Sequence, residues 1–340
     1  MVLSDLAYSF DPSLVAQRPA AVRDLSRLLL YDRSDGKRIH TRFRSLPGYL
    51  KPGDLLVYND SRVIPARLLA RKPTGGKVEL LLVRELGPGL WEAIVGGAVR
   101  EGTGLIFADG REARIEALLG GGRGSVRFSE DAEVGPWIER QGEVPLPPYI
   151  RREKGPEPED RERYQTVFAR SSGSVAAPTA GLHFTPDLLE ALRARGVEVA
   201  GLTLHVGPGT FLPIRSDRLS EHRMHAERYF IPPETVSAIM SGKSRGARII
   251  AVGTTTTRAL ESVFGEGPAL LPEGETELFI RPGYRFNVVT GLITNFHLPR
   301  TTLLVLLAAF LGPETVLSLY EEAVRERYRF YSFGDAMCIL

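Results

Sequence analysis

The sequence predicts an α/β protein: a barrel-like α/β main domain with an inserted antiparallel β-barrel domain. Three observations predict it. From residue 166 onward, strand-like and helix-like stretches alternate. Residues 65–150 instead carry short alternating apolar runs between glycine turns, with little helical period. Sequence of α/β pattern lies on both sides of that stretch, which makes it an insertion. The main domain is then residues 1–64 and 151–340, and the insert 65–150.

In chain order, RDLSRLLLYDR (23–33) reads as a strand ended by Ser34-Asp35-Gly36. LLVYNDSRV (55–63) reads as a buried strand running into Asn59, Asp60, Ser61 and Arg62. Open α/β sheets place ligand groups at the carboxyl ends of strands in this way; a surface turn with an internal Asp–Arg pair is the plainer alternative. Inside the insert, Asp109-Gly110 and Gly120 to Gly122 mark hairpin turns. Pro145 to Glu162 is a proline-rich, charged connector, and Arg151, Arg152, Lys154, Arg161 and Arg163 with Tyr149 and Tyr164 make a basic, aromatic-interleaved edge along it. It suits either an RNA backbone with an unpaired base or a solvated linker.

GSVAAPTAGLHFT (173–185) is rich in small residues, and His183 is its one titratable side chain. Gly, Ser, Pro and Thr favour turns and close backbone approach. A helix follows, with Thr185 as N-cap, Pro186 in the first turn and Gly196 as its stop. A small-residue loop feeding a helix start can hold an anionic or polar ligand; a tight packing connection is the other reading. VEVAGLTLHVG (197–207) is strand-like to His205 and runs into Gly207-Pro208-Gly209-Thr210. MHAERYFI (224–231) is a short strand carrying His225 and Glu227. PPETVSAIMSG (232–242) is a helix, and ARIIAVGTTTTRALESVF (247–264) is a strand, a hydroxyl-rich turn and a helix. TELFIRPGYRF (276–286) and VVTGLITNFHL (288–298) read as strands, the second ending at Asn295 and His297. An apolar helix from Pro299 to Gly312 and an amphipathic one over 314–327 close the pattern, before a tail that contains Asp335.

Composition narrows the class. Of the 340 residues, 43% are hydrophobic and 25% charged, which fits an ordinary globular chain. The net charge of +2 gives no strong footprint for nucleic acid. Lys occurs only at 37, 51, 72, 77, 154 and 243, so the basic residues are nearly all Arg. Arg suits bidentate phosphate contacts, but genomic base composition or a thermophilic host accounts for most of them. Cys338 is the lone cysteine, which excludes an intrachain disulfide and a zinc–thiolate cluster. The N-terminal stretch is not a signal peptide, and the longest apolar run, Leu303 to Leu311, is far short of the ~20 residues that span a bilayer. A cytoplasmic protein without a membrane segment is expected.

Polar residues end one strand after another: Asn59 and Asp60, His205, then Asn295 and His297, with the 173–185 and 253–257 turns beside them. That is the pattern of a single site at the carboxyl ends of strands. Five of the six histidines lie after residue 182, and histidine is the natural acid–base group near neutral pH. His222-x-x-His225-x-Glu227 has close spacing but no helical context for a metal pair, so no metal is expected. The dinucleotide, P-loop and nucleophile-elbow fingerprints are absent. These residues alone reach a cofactor-independent enzyme with a histidine-bearing polar site, and no substrate.

Longer motifs carry a resemblance. RDLSRLLLYDR, GDLLVYNDSRVIPARL, ERYQTVFA, GSVAAPTAGLHFT, LTLHVGPGTFLPIR, MHAERYFI, VGTTTTRALES, LITNFHLPRTTLL and YRFYSFGDAM occur in order from residue 23 to the C-terminus. They resemble the S-adenosylmethionine:tRNA ribosyltransferase-isomerases of queuosine biosynthesis. The resemblance implies that the ribosyl unit of S-adenosylmethionine moves onto 7-aminomethyl-7-deazaguanine at the tRNA wobble position. There it isomerises to an epoxycyclopentanediol, giving epoxyqueuosine-tRNA, while adenine and methionine leave. S-adenosylmethionine is then a co-substrate and no resident cofactor is implied; the partner is tRNA, and a monomer without an obligate protein partner is expected. The implied chemistry needs a base beside the sulfonium, an acid for adenine, and a holder for the positive sulfur. The expected catalytic residues are His183, His205, His297 and Asp335. The expected binding residues are Asn59, Asp60, Arg62, Thr179 and Gly181, with His225, Glu227, Thr254, Thr255, Arg258 and Asn295. Asp60, Glu227 and Asp335 are candidates for the sulfonium or ribose, and Arg62, Arg258 and the threonines for a carboxylate or phosphate. The chain departs from the family pattern at Ser61, Pro208, Thr256-Thr257 and Arg300. It has Thr290-Gly291 where Asp-Ala is usual, which leaves any carboxylate role there without a counterpart. The rival readings are an S-adenosylmethionine-dependent RNA methyltransferase, which would want a glycine-rich loop after the first strand, and a non-catalytic tRNA-binding protein.

Overall fold

The computed structural model describes residues 3–129, 134–153, 155–207, 209, 219–265 and 271–340. Lys154, Pro208 and Thr210, named above, lie outside the described residues. In the first segment β1 (Arg27–Tyr31), β2 (Arg38–Arg42), β3 (Leu55–Asn59) and β4 (Ser61–Val63) lead into the insert. The insert's strands are β5 (Arg67–Arg71), β6 (Lys77–Gly87), β7 (Leu90–Gly96), β8 (Gly104–Phe107), β9 (Glu112–Gly120) and β10 (Arg123–Phe128). They are followed by α1 (Val134–Gln141), the short α2 (Asp160–Arg163), β11 (Ser171–Ser174), α3 (Pro186–Ala194) and β12 (Glu198–Leu204). The rest of the chain is β13 (Glu227–Phe230), α4 (Pro233–Ser244), β14 (Ile249–Val252), α5 (Thr254–Phe264), β15 (Glu273–Thr276), β16 (Gly291–Asn295), α6 (Thr302–Leu311), α7 (Pro313–Arg325) and β17 (Ala336–Ile339).

Nine strands form one mixed sheet in the order β15-β13-β12-β3-β14-β16-β17-β1-β2. Its centre, β12-β3-β14-β16, is parallel throughout. Alternate residues along each strand enter opposite cores, as the two-residue strand period requires. Leu55, Val57, Ala251 and Leu292 pack with α4 to α7, whereas Leu56, Ile250, Val252 and Ile293 pack with Phe43, Phe184 and α3. Because the four central strands run the same way, their carboxyl ends, Asn59, Leu204, Val252 and Asn295, share one edge of the sheet.

The insert closes into a six-stranded antiparallel barrel, β10-β7-β6-β5-β8-β9. Its core holds Leu80, Leu82, Ala93, Ile115 and Val126. The chain leaves the sheet and returns through one neck, where Arg67 N donates to Glu143 O at 3.1 Å and Glu143 N to Arg67 O at 2.9 Å. The sequence has little helical period in this stretch, yet α1 forms there. Trp137 explains it: the indole lies edge-on to Phe107 (4.8 Å) and Phe128 (5.7 Å) and donates to Asp109 Oδ2 at 2.6 Å. Tertiary packing rather than local pattern selects that helix.

The expected strand over 276–286 also differs, since only Glu273–Thr276 pairs with a neighbour. Beyond it the backbone finds side-chain partners on α5. Arg258 Nε donates to Leu278 O at 2.9 Å, and the Glu261 carboxylate accepts from the N–H groups of Asn287, Val288 and Val289 at 2.9–3.1 Å. The connector is packed: Arg152 forms a buried bidentate pair with Asp160, and Ile150 is in a core. No single helix among the described residues is long and apolar enough to cross a bilayer; α6 and α7 meet at a bend of 117°.

Candidate active site

A cleft of about 570 Å³, open mouth included, lies at the carboxyl edge of the parallel strands. One wall is the 173–185 segment, which contributes Ala176 to Ala180. The other walls are the start of α5, the end of β16 and the loop that carries Tyr331 and Ser332. A smaller hollow adjoins it, sharing Thr254, Thr255 and Leu303 and reaching Arg258.

Each wall has a local cause. Gly253 sits at φ 90°, turns the chain from β14 into α5, and provides no side-chain cap. The first N–H groups of an 11-residue helix are thereby left for a ligand at Thr254 and Thr255. Thr256 and Thr257, by contrast, donate back to Val252 O and Gly253 O and are fully buried. Thr185 accepts from Leu188 N and caps α3 as its sequence requires. Asp335 is buried and accepts from the backbone N–H of Arg27 (2.9 Å), that of Arg329 (2.8 Å) and the Arg329 guanidinium (3.2 Å). It therefore fixes the loop that holds Tyr331 at φ 68° beside Tyr149.

Thr179, Thr254, Thr255, Asn295 and His297 line the main cleft, and Arg258 lines the adjoining hollow. His297 is buried; its Nε2 lies 2.8 Å from Thr294 Oγ1, and burial lowers its pKa to about 3. Asn59, Glu227 and His183 stand one layer behind. Asn59 bonds Leu204 N and O and approaches Thr255 Oγ1 at 3.4 Å. Glu227 pairs with Arg258 and accepts from Gly207 N at 3.0 Å. His183 is held by Asn295 at 3.0 Å and Ser26 at 2.7 Å and stacked on Phe43; burial, opposed by Asp335, lowers its pKa to about 4. Gly181 packs on Thr166, where a Cβ would come within 2.9 Å of Cγ2.

Besides Asn59, Gly181, His183, Glu227 and Asp335, four more expected residues do not line the cleft. Val206 lines it, whereas His205, one residue earlier in the chain just past β12, packs near Asp60 and against Gly173. Asp60 accepts from Thr203 Oγ1 at 2.6 Å on that same side. Arg62 is exposed, 3.9 Å from Glu139, and His225 is exposed. Among the described residues no three His, Cys, Asp or Glu side chains converge as metal ligands would. Thr290 caps the opposite, amino end of β16, where its Oγ1 accepts from Ile249 N at 2.7 Å. The Thr290-Gly291 pair is thus remote from the cleft. Tyr149, Tyr331, Ser332 and Leu303 line it without being among the site residues that the sequence suggests. The aromatic run YRFYSF just before the buried Asp335 is the signal that points to Tyr331 and Ser332.

Comparison with known proteins agrees with this architecture. The profile of a family described as "Queuosine biosynthesis protein" matches residues 3–339. A protein of Anaeromyxobacter sp. (strain Fw109-5) named S-adenosylmethionine:tRNA ribosyltransferase-isomerase is 53% identical over 345 residues, covering 100% of this chain and 99% of its own. One of the same name from Thermus thermophilus is 55% identical over 345 residues, covering 98% of both. The crystal structure of S-adenosylmethionine tRNA ribosyltransferase from Thermotoga maritima is 38% identical, with a TM-score of 0.57 and coverage of 99% of this chain and 100% of that one.

Proposed function

The chain belongs to the queuosine biosynthesis family and is an enzyme of the S-adenosylmethionine:tRNA ribosyltransferase-isomerase kind, and from that premise we propose the reaction its cleft carries out. The ribosyl unit of S-adenosylmethionine is transferred to the aminomethyl group of 7-aminomethyl-7-deazaguanine at the wobble position of tRNA. It is isomerised to the epoxycyclopentanediol of epoxyqueuosine, and adenine and methionine are released. The observation that carries this reading is the convergence, in one cleft, of a bare helix start, hydroxyl and amide groups, an imidazole and a stacked pair of rings.

The chemistry divides among these groups. A base takes a proton from the carbon beside the sulfonium, which the positive sulfur acidifies. The adenine–ribose bond breaks as adenine gains a proton. Among the described residues His297 is the one imidazole lining the cleft, and its low pKa keeps it in the proton-accepting form at neutral pH. The N–H groups at Thr254 and Thr255 suit the methionine carboxylate. No carboxylate among the described residues lines the main cleft, so the sulfonium is assigned to the faces of Tyr149 and Tyr331. The wobble nucleotide must leave its stack to reach such a cleft.

The test is direct: mix the protein with S-adenosylmethionine and tRNA bearing 7-aminomethyl-7-deazaguanine, then follow free adenine and methionine. Both should appear in equal amounts, one per modified tRNA. Transfer of a labelled methyl group to the tRNA, or no release at all, would replace this reading with a methyltransferase or a non-catalytic binder.

A further inference from the structure

His183, Asn295 and Thr179 form a hydrogen-bonded chain with a direction. The Asn295 amide nitrogen donates to His183 Nε2 at 3.0 Å, and the Asn295 carbonyl accepts from Thr179 Oγ1 at 2.9 Å. Nε2 therefore carries no proton, and the ring proton is on Nδ1, 2.7 Å from Ser26 Oγ. Phe43 stacks on the imidazole with centroids 5.0 Å apart, and neither His183 nor Ser26 reaches solvent appreciably. Of the chain's members only Thr179 is part-exposed; it lines the cleft beside the buried Asn295.

A hydroxyl has one proton to give and two lone pairs. The proton of Thr179 is committed to Asn295, so what it turns to the cleft is a lone pair. We infer that Thr179 is held as an acceptor-only group and reads a hydrogen-bond donor on the S-adenosyl ligand, with His183 a positioning residue that sets the polarity of the chain. This rests on the reading of the cleft as the S-adenosylmethionine site. The donor is an O–H or N–H: a ribose hydroxyl, the adenine amino group or the α-amino group. A ligand that offers only an acceptor at that point leaves Thr179 and itself unpaired, which is how buried polar sites discriminate.

The probe is S-adenosylhomocysteine, alongside analogues that lack the 2′-hydroxyl, the 3′-hydroxyl, the adenine N–H groups or the α-amino group. Each is titrated calorimetrically against the native protein and against Thr179→Val and Thr179→Ser. One analogue should bind the native protein about tenfold more weakly than S-adenosylhomocysteine, the size of one lost hydrogen bond. On Thr179→Val that difference should vanish, and Thr179→Ser should restore it. If every analogue keeps the same penalty on Thr179→Val as on the native protein, Thr179 reads nothing. Independently, proton–nitrogen correlation spectra of the ligand-free protein, labelled at histidine, should place the His183 proton on Nδ1. A proton on Nε2 would mean that the chain runs the other way and Thr179 presents its own hydrogen, overturning the inference. Failure of S-adenosylhomocysteine to bind at all would count against the proposed function, while the spectra would still decide the chain's polarity.

Discussion

Tyr149 and Tyr331 lie face to face, ring centroids 3.8 Å apart and planes inclined by 19°. The Tyr149 hydroxyl is 2.7 Å from Ser332 Oγ, so the residue after Tyr331 also ties the two segments together. Tyr331→Leu removes the stack and one π face from the cleft. The KM for S-adenosylmethionine should rise about tenfold, the worth of one aromatic or cation–π contact, while Tyr331→Phe stays within about twofold. Initial rates of adenine release measure both, and equal KM values for the Leu and Phe variants would remove the ring pair from the site.

The two buried imidazoles make stability sensitive to acid. His183 and His297 are held below the ordinary 6.5, at about 4 and about 3. As pH falls through 6.5 the unfolded chain takes up protons at both, and the folded chain does not. Stability should be flat on this account above neutral pH and decline below it, by about 2 kcal/mol per histidine at pH 5. Urea melts at pH 7 and pH 5 test this. His183→Gln should shrink the difference between the two pH values by roughly half, and an unchanged difference would rule the histidine out as the cause.

Arg258 and Glu227 form an ion pair with both side chains buried. Arg258→Met leaves a buried carboxylate uncompensated and should cost about 3–5 kcal/mol. Adding Glu227→Gln removes that charge and should recover much of the loss, because the amide oxygen can still accept from Gly207 N. Denaturant melts of the single and double variants compare directly; a double variant no better than the single would show the charge is not what matters.

Thr290→Asp introduces the carboxylate that the sequence resemblance leads one to expect at this place. Thr290 Oγ1 accepts from Ile249 N and donates to Ile249 O. A carboxylate can do only the first and repels that carbonyl. Stability should fall by about 1 kcal/mol, with adenine release within about twofold of the native rate. A gain of tenfold or more would place the position in the catalytic machinery.

Strand ends are legible in the sequence because they combine two simple signals, an apolar run and an abrupt polar stop. Asn59, Asn295 and His297 follow from that rule and do converge, while Thr179 and Thr254 follow from the small-residue and hydroxyl-rich turns. His205 obeys the same rule but packs near Asp60 and against Gly173 just past β12, and the sequence does not say which side is the site. His183 is legible as a polar residue in a special loop, yet its layer behind Asn295 is a fact of packing. The 276–286 stretch misleads for a related reason: its alternation is that of a strand, but Arg258 donates to its carbonyls at Thr276 and Leu278, and Glu261 takes the N–H groups that follow it at 287–289.

The neck at Arg67 and Glu143 has an evolutionary corollary. An appendage whose two ends leave through one pair of facing residues can be exchanged, enlarged or trimmed without shifting the register of the strands beneath it. Lineages of this enzyme are free to vary the barrel's size and decoration at a rate of their own, while the sheet that builds the cleft is constrained by every residue that meets there.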